Sequence, residues 1–167
     1  MNIVIFSGSF YPNVHPRAFR ATELAKEFVR MGHHVTSVIC KTTENFDYDV
    51  YKYETAIEVI SLDVFKGNRV AEVASKKKTL FFRIERYLIE YLLCGGLFKY
   101  GKEISKKLNE LQCLKEADLA IALSTPFPCH YGFAKYMAKE GRSFVAIADS
   151  GDPFYYSKQT KRAIWFK

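Results

Sequence analysis

Two aspartates stand three positions apart near the end of the chain, in the segment DSGDPF from Asp149 to Phe154. Asp149 follows an apolar run that we predict to be a buried strand, and Asp152 comes just before a proline. Two neighbouring carboxylates that are partly removed from water can have one raised pKa, which suits that carboxylate to accept a proton. We therefore interpret Asp149 and Asp152 as candidate catalytic residues. Turn formation is the structural alternative, because Asp-Pro and Ser-Gly are common in turns.

A second group of polar residues follows the first predicted strand, in the loop SGSFYPNVHP and the helix start after it. The loop contains neither the dinucleotide fingerprint GxGxxG nor the P-loop pattern GxxxxGKS/T. It places His15, Arg17 and Arg20 where helix N–H groups favour an anion. Arg17 and Arg20 share one helix face and could hold a phosphate or a carboxylate, or they could pair with Glu23 and Glu27. For His15, an ordinary loop hydrogen bond is the alternative to ligand binding.

A third polar segment, STPFP, follows the fourth predicted strand and comes before another helix start. Its hydroxyl groups could contact a ligand, and that of Thr125 could instead cap the helix. In an open parallel sheet, ligands bind beyond the carboxyl ends of the strands, so the three segments share one predicted edge. We expect a ligand- or phosphate-binding site there, formed by His15, Arg17, Arg20, Ser124 and Thr125.

The elements that would position these residues are visible as apolar runs that alternate with amphipathic stretches. Apolar, β-branched runs predict five strands, at residues 2–6, 34–40, 57–62, 118–123 and 144–148. Apolar spacing predicts helices over residues 16–31 with a stop at Gly32, over 80–111 with a break at Cys94-Gly95-Gly96, and over 129–140. Residues 41–54 show no steady period. This alternation predicts a Rossmann-like α/β domain, a doubly wound parallel sheet in the order 3-2-1-4-5 with helices on both faces.

The composition restricts the class of protein that carries these residues. The chain has 167 residues, 49% of them hydrophobic, so it can bury the core of one domain. Its four cysteines are scattered without metal-ligand spacing, which favours a reducing, cytoplasmic location and argues against zinc. No apolar run approaches the roughly 18 residues of a membrane-spanning helix, and the N-terminus lacks the basic region of a signal peptide. The net charge of +7 indicates an anionic partner.

The segment from Lys76 to Lys107 interleaves basic and aromatic residues. It is predicted to dock on the sheet as helices whose basic faces are solvated, and it could in addition contact an anionic membrane surface. No nucleic-acid-binding motif accompanies it, so a nucleic-acid partner is disfavoured.

Three stretches of the chain share their order and motifs with a known family. The first 40 residues carry F-Y-P after the first strand, R-A-T-E-L-A in the helix and G-H-H-V-T before the second strand. DLAIALSTPFP and FVAIADSGDPF each supply a strand followed by a polar, proline-containing loop. In these motifs the chain resembles the N-terminal, acceptor-binding half of glycosyltransferases of the GT-B fold, family four.

The resemblance implies transfer of a sugar from a nucleotide-sugar donor to a glycan or lipid-linked acceptor in cell-surface polysaccharide synthesis, at the cytoplasmic face of the membrane. It implies a catalytic role for Asp152 or Asp149, and the choice stays open because many relatives carry histidine at the base position. Neither a metal nor a cofactor is expected, since the nucleotide-sugar is a co-substrate. The donor-binding half does not follow in this sequence, so residues 1–167 are interpreted as one domain of a longer enzyme, inactive alone.

A stand-alone Rossmann-like ligand-binding or regulatory module is the alternative function. Response-regulator domains of that kind carry an acidic cluster after the first strand, where this chain has Ser7-Gly8-Ser9. Nucleotide-dependent oxidoreductases carry the glycine fingerprint that the first loop lacks. Both readings are therefore weaker than the glycosyltransferase interpretation.

Overall fold

A computed structural model describes residues 1–40, 46–64, 84, 88, 97–123, 127–139 and 143–150. Five strands in this part of the chain form one parallel sheet in the order β3-β2-β1-β4-β5. The strands are β1 (Asn2–Ser7), β2 (His34–Ile39), β3 (Ile57–Ser61), β4 (Leu119–Leu123) and β5 (Val145–Asp149). The predicted strand order is confirmed.

Helices cover both faces of the sheet. They are α1 (Pro16–Arg30), α2 (Tyr48–Thr55), α3 (Leu97–Glu110), α4 (Gln112–Lys115) and α5 (Phe127–Met137). Successive strand residues point to opposite faces, so Ile3 and Ile5 pack with α1 and α2, whereas Val4 and Phe6 pack with α3 and α5. The domain is therefore the predicted doubly wound, Rossmann-like α/β fold.

Helix α1 begins and ends as its sequence predicts. Pro16 occupies the first turn, where its missing N–H costs no hydrogen bond, and His15 is the N-cap. At the other end Gly32 has a φ of 83°, a left-handed conformation that glycine adopts without a side-chain penalty. The length of the helix is therefore set by Pro16 and His15 at its start and by Gly32 after its end.

Helices α3 and α5 pack closely through two glycines. A Cβ atom at Gly101 would overlap the ring of Tyr131, and one at Gly132 would lie 2.6 Å from Ile104 Cγ2. Ile104 is fully buried in the core on this face of the sheet. The backbones of the two helices can approach this closely because neither glycine carries a side chain.

Helix α2 was not predicted, because most of it lies within residues 41–54, where the sequence shows no steady apolar period. Asp47 caps its start by accepting hydrogen bonds from the N–H groups of Asp49 and Val50, at 2.9 and 3.2 Å. Ala56 ends it with a φ of 58°. Tyr51 is its one buried residue, so the helix has no broad apolar face for the sequence to reveal.

Strand β5 corrects a second expectation, because it is not buried. Val145 and Ile147 are 64% and 46% exposed. Among the described strands β5 lies at the edge of the sheet, paired only with β4, and α1 lies over the centre of the sheet instead. An apolar run therefore predicted the strand correctly and its burial wrongly.

Three helical predictions need smaller corrections. Helix α5 begins at Phe127 and ends at Met137, not at residues 129 and 140, because Pro128 fits its first turn. The short α4 was not predicted. Of residues 80–111, positions 84 and 88 and all of α3 up to residue 110 are helical, and the predicted break at residues 94–96 lies outside the described residues. No helix in the described part of the chain is long and apolar enough to span a bilayer.

Candidate functional site

An ion pair joins the start of α1 to the end of β5 at the carboxyl edge of the sheet. Arg20 Nη2 lies 2.8 Å from Asp149 Oδ2, and the two side chains are 59% and 25% exposed. Asp149 is the last residue of β5, and Arg20 lies in the second turn of α1. The structure thus brings together one residue from the predicted anion-binding group and one from the predicted catalytic pair.

The strand order explains how these distant residues meet. β1 pairs with β4, and β4 pairs with β5, so the helix that leaves β1 begins two strands, roughly 10 Å, from β5. A long arginine side chain that leans across β4 covers this distance. Exposed ion pairs contribute about 0–1 kcal/mol to stability, so the fold does not depend on this pair. Both groups are accessible to a ligand that competes for them.

The acidic residues of α1 are occupied elsewhere. Glu23 pairs with Lys26 at 2.9 Å, and Glu27 pairs with Arg30 at 2.5 Å. Hydrogen bonding to Arg30 lowers the pKa of Glu27. Pairing of Arg20 with these glutamates, which the sequence left open, is therefore not what the structure shows.

His15 organises the loop that leads into α1. Its Nδ1 accepts a hydrogen bond from the Ala18 N–H at 3.3 Å, and its Nε2 lies 2.9 Å from Ser9 Oγ. Because Nδ1 accepts, the proton of a neutral ring is on Nε2, which then donates to Ser9. This is the hydrogen-bonding role that the sequence offered as the alternative to ligand binding. Arg17, one turn before Arg20, has an exposed side chain.

The other predicted site residues lie outside the described residues. These are Ser124 and Thr125, which follow β4 in the chain, and Asp152, which follows Asp149 by three positions. At the described end of β4, His130 Nε2 lies 2.9 Å from the carbonyl oxygen of Ala122 and connects the start of α5 to this strand.

Sequence reasoning missed a cavity of about 390 Å³ between α1 and α2. We call it the aromatic groove; it is lined by Tyr11, Lys26, Phe46, Asp47, Val50, Tyr51, Glu54 and Thr55. The tyrosine-rich composition of residues 41–54 was its only signal, and composition does not show which rings share a cavity. Burial raises the pKa of the Tyr51 hydroxyl to about 12, so this group is neutral at physiological pH.

A second cavity, of about 580 Å³, lies between α3 and α5 and is rich in lysine. We call it the lysine groove, and its five exposed lysines are Lys99, Lys102, Lys106, Lys135 and Lys139. Within the described part of the chain, none of these ammonium groups forms a salt bridge. The spacings of three and four residues place Lys99, Lys102 and Lys106 on one face of α3, whereas Lys139 lies two residues beyond the end of α5.

Two of the cysteines are in contact. Cys40 Sγ and Cys129 Sγ lie 3.0 Å apart in the core as free thiols, and burial raises the pKa of Cys129. Cys113 is also a free thiol, with its pKa raised to about 11 by burial. Among the described residues, no group of three or more histidine, cysteine or acidic side chains could hold a metal ion.

Comparison with known proteins gives one structural likeness. No protein-family model matches the chain, and no curated protein matches it. Among solved structures, the chain is similar to the crystal structure of TcCGT1 in complex with UDP, with a TM-score of 0.41 and 14% sequence identity. The match covers 87% of this chain and 27% of that one, so the chain spans about a quarter of its length.

Proposed function

We propose that this chain is the acceptor-binding half of a nucleotide-sugar-dependent glycosyltransferase of the GT-B fold, family four. The observation that carries the proposal is the meeting of Arg20 and Asp149 at the carboxyl edge of the sheet, 2.8 Å apart. Ligands of doubly wound sheets bind at this edge, and the motifs that resemble the family contain these residues. A cation and a carboxylate in contact at that edge suit a reaction between a sugar hydroxyl and a donor that carries phosphate.

The proposed roles follow from the chemistry of each side chain. The acceptor oxygen bonds to the anomeric carbon of the donor sugar, the bond from that carbon to the phosphate oxygen breaks, and the nucleotide leaves with its phosphates. Asp149 or Asp152 accepts the proton of the acceptor hydroxyl in this step. Arg20, with Arg17, binds a phosphate or carboxylate group, because guanidinium groups hold such anions through paired hydrogen bonds. His15 shapes the loop beneath them by capping α1.

The other components of the proposed reaction are the hydroxyl contacts, the donor and the acceptor. Ser124 and Thr125 supply hydroxyl contacts to the acceptor or a phosphate. The nucleotide-sugar is a co-substrate bound mainly by a second half, so residues 1–167 alone carry out no transfer, and the reaction uses no metal or cofactor. The acceptor is a glycan or lipid-linked molecule of cell-surface polysaccharide synthesis, and the enzyme works in the cytoplasm.

The lysine groove supports the proposal that this protein works at an anionic membrane face. Three of its lysines lie within the segment 76–107, and Lys135 of α5 and Lys139 just after that helix are the other two. All five cations are lysines, which act as hydrated point charges. Single phosphate groups are more often held by the planar fork of arginine, so a cluster of lysines fits an extended anionic surface better. A basic surface of this kind contributes about 1 kcal/mol per lysine near anionic lipid.

An assay of sugar transfer tests the proposed activity. The chain is joined to the nucleotide-sugar-binding half of a family-four enzyme, and transfer is measured for Asp149→Asn and Asp152→Asn. We expect the variant that lacks the base to lose about 10²- to 10⁴-fold in rate. Asp49→Asn, which removes an exposed carboxylate of α2, is the matched control and retains full activity. Full activity in both test variants would exclude aspartate catalysis, and no transfer by the unsubstituted protein would favour a stand-alone binding module.

A further inference from the structure

The aromatic groove is built from rings that support one another. Tyr11 stacks on Tyr51 with ring centroids 5.1 Å apart and planes inclined by 20°. Phe46 meets Tyr11 edge-on at 5.3 Å and Tyr51 at 5.9 Å. Tyr51 is buried against the core, whereas Tyr11 is 41% exposed. The groove therefore offers an accessible aromatic ring backed by a rigid aromatic layer.

Hydrogen bonds from both helices hold the backbone of Tyr11 in place. Its N–H donates to Thr22 Oγ1 of α1 at 3.1 Å, and the Thr22 hydroxyl donates in turn to the Ala18 carbonyl at 2.8 Å. The Tyr48 hydroxyl of α2 donates to the Tyr11 carbonyl at 3.0 Å. These bonds hold the backbone of Tyr11, and its ring packs on Tyr51, so the ring loses little conformational freedom when a ligand stacks on it.

The groove is a different site from the Arg20–Asp149 pair. Lys26, which lines the groove, lies six residues after Arg20 in α1, roughly 240° around the helix at 100° per residue. The groove faces α2, which packs on β3, whereas Arg20 reaches β5 at the other edge of the sheet. Helix α1 separates the two.

A buried hydroxyl lies beneath the groove. Tyr51 is 5% exposed, and its Oη atom has almost no accessible surface and makes no hydrogen bond within the described part of the chain. The nearby Thr55 hydroxyl donates instead to the Tyr51 backbone carbonyl, at 2.7 Å. A ligand in the groove does not reach the Tyr51 hydroxyl, so the polar groups that can contact a ligand are the exposed ones of the lining.

The polar groups of the lining suit a neutral ligand that both donates and accepts hydrogen bonds. Asp47 uses Oδ1 to cap α2, and its other carboxylate oxygen is not engaged by that cap. Glu54 is exposed and can accept, and Lys26 can donate although it also pairs with Glu23. One ammonium and two carboxylates leave the lining close to neutral, which selects neither a strong cation nor a strong anion.

We propose that the aromatic groove binds a neutral carbohydrate ring, which stacks on Tyr11 and hydrogen-bonds to Asp47, Glu54 and Lys26. Aromatic faces bordered by a few polar groups are typical of small-molecule sites, and a cavity of about 390 Å³ is large enough for one or two sugar rings. This inference does not depend on the proposed transferase activity, because it concerns binding at a separate site.

Titration with simple glycosides tests the proposal. Methyl β-glucopyranoside and methyl β-galactopyranoside are added to the chain at millimolar concentrations, and binding is followed by chemical-shift changes. We expect saturable binding of at least one glycoside, and Tyr11→Ala to weaken it by about fivefold or more. Tyr53→Ala is the control, since it removes a tyrosine of α2 that is 93% exposed and outside the groove. Tetramethylammonium is titrated in parallel as a cationic probe.

Three outcomes would overturn the proposal: no saturable binding of either glycoside, equal loss of binding in the Tyr11 and Tyr53 variants, or tighter binding of tetramethylammonium than of the glycosides. A second variant guards against a folding defect in Tyr11→Ala. Glu54→Gln weakens an exposed hydrogen-bond acceptor of the groove and is expected to fold with an unchanged Tm while glycoside affinity falls about threefold to tenfold. Unchanged glycoside affinity in Glu54→Gln and in Tyr11→Ala would likewise overturn the proposal.

Discussion

Arg20 of α1 and Asp149 of β5 form an ion pair, with Nη2 2.8 Å from Oδ2, although strands β2, β3 and β4 lie between these two elements along the chain. Both groups remain partly exposed, so they are available to solvent and to ligands. The pair links the two segments whose chemistry carries the proposed function. Its position at the carboxyl edge of the sheet, rather than in the core, is the reason we propose a role in binding for it, since an exposed ion pair contributes little to stability.

Replacement of Arg20 by alanine should separate binding from folding. Because the ion pair is exposed, we expect the free energy of unfolding to fall by no more than about 1 kcal/mol. Binding of pyrophosphate, measured by calorimetry, should weaken about tenfold as a charge-assisted hydrogen bond is lost. Arg30→Ala removes a comparable exposed ion pair from the same helix and should leave pyrophosphate binding intact. Equal pyrophosphate affinity in the two variants would exclude Arg20 from an anion site.

Packing of α3 against α5 predicts a strong effect of a small substitution. Gly101→Ala places a Cβ atom on the ring of Tyr131 and should lower the free energy of unfolding by about 1–3 kcal/mol, as overpacking does. Chemical denaturation measures the change. In the Tyr131→Ala background the clash is absent, so the same glycine substitution should cost less than about 1 kcal/mol. An equal cost in both backgrounds would mean that the helices do not meet at this point.

The lysine groove predicts selective binding to anionic vesicles. Lys99→Gln, Lys102→Gln and Lys106→Gln together should reduce co-sedimentation with vesicles of phosphatidylserine and phosphatidylcholine by tenfold or more, at about 1 kcal/mol per lysine. Binding should also fall steeply as salt is raised. The control combines Lys26→Gln, Lys52→Gln and Lys115→Gln, which lose the same charge outside the groove.

The vesicle experiment has two results that contradict the membrane proposal. Equal losses in the two triple variants would show that only net charge matters. Binding of wild-type protein to single-stranded RNA but not to vesicles would identify a different anionic partner for the groove.

The raised pKa of the buried Tyr51 hydroxyl predicts a loss of stability at high pH. Its pKa is about 12 in the folded protein against about 10 in an unfolded chain, so the unfolded chain loses the proton first as pH rises. The stability that depends on the protonated hydroxyl is complete below pH 10 and is lost as pH rises through 12, by about 3 kcal/mol in all and about 2 kcal/mol by pH 11.5. Tyr51→Phe should lack this loss, whereas Tyr53→Phe should retain it. Unfolding free energies at about pH 9 and pH 11.5 test the difference, and identical slopes in all three proteins would contradict the burial of this hydroxyl.

Most of the strands and helices could be predicted because each of them has its own apolar pattern or its own terminating residue in the sequence. Ile3 and Ile5 alternate with Val4 and Phe6, a run that stays apolar on both faces, and the structure buries it between two helical layers. Gly32 ends the first helix region because a left-handed residue is needed there. Helix α2 escaped prediction because its cap and its one buried ring produce no apolar period along the sequence.

By itself the sequence determined the class of fold and the order of the strands, because these depend on local periodicity and on the handedness of strand–helix–strand units. Only the tertiary structure decided that Arg20 meets Asp149, that β5 is exposed, and that Tyr11, Phe46 and Tyr51 share a cavity. Such pairings join residues far apart in the chain. They depend on how side chains cross between neighbouring elements, and no repeat or spacing along the chain encodes that geometry.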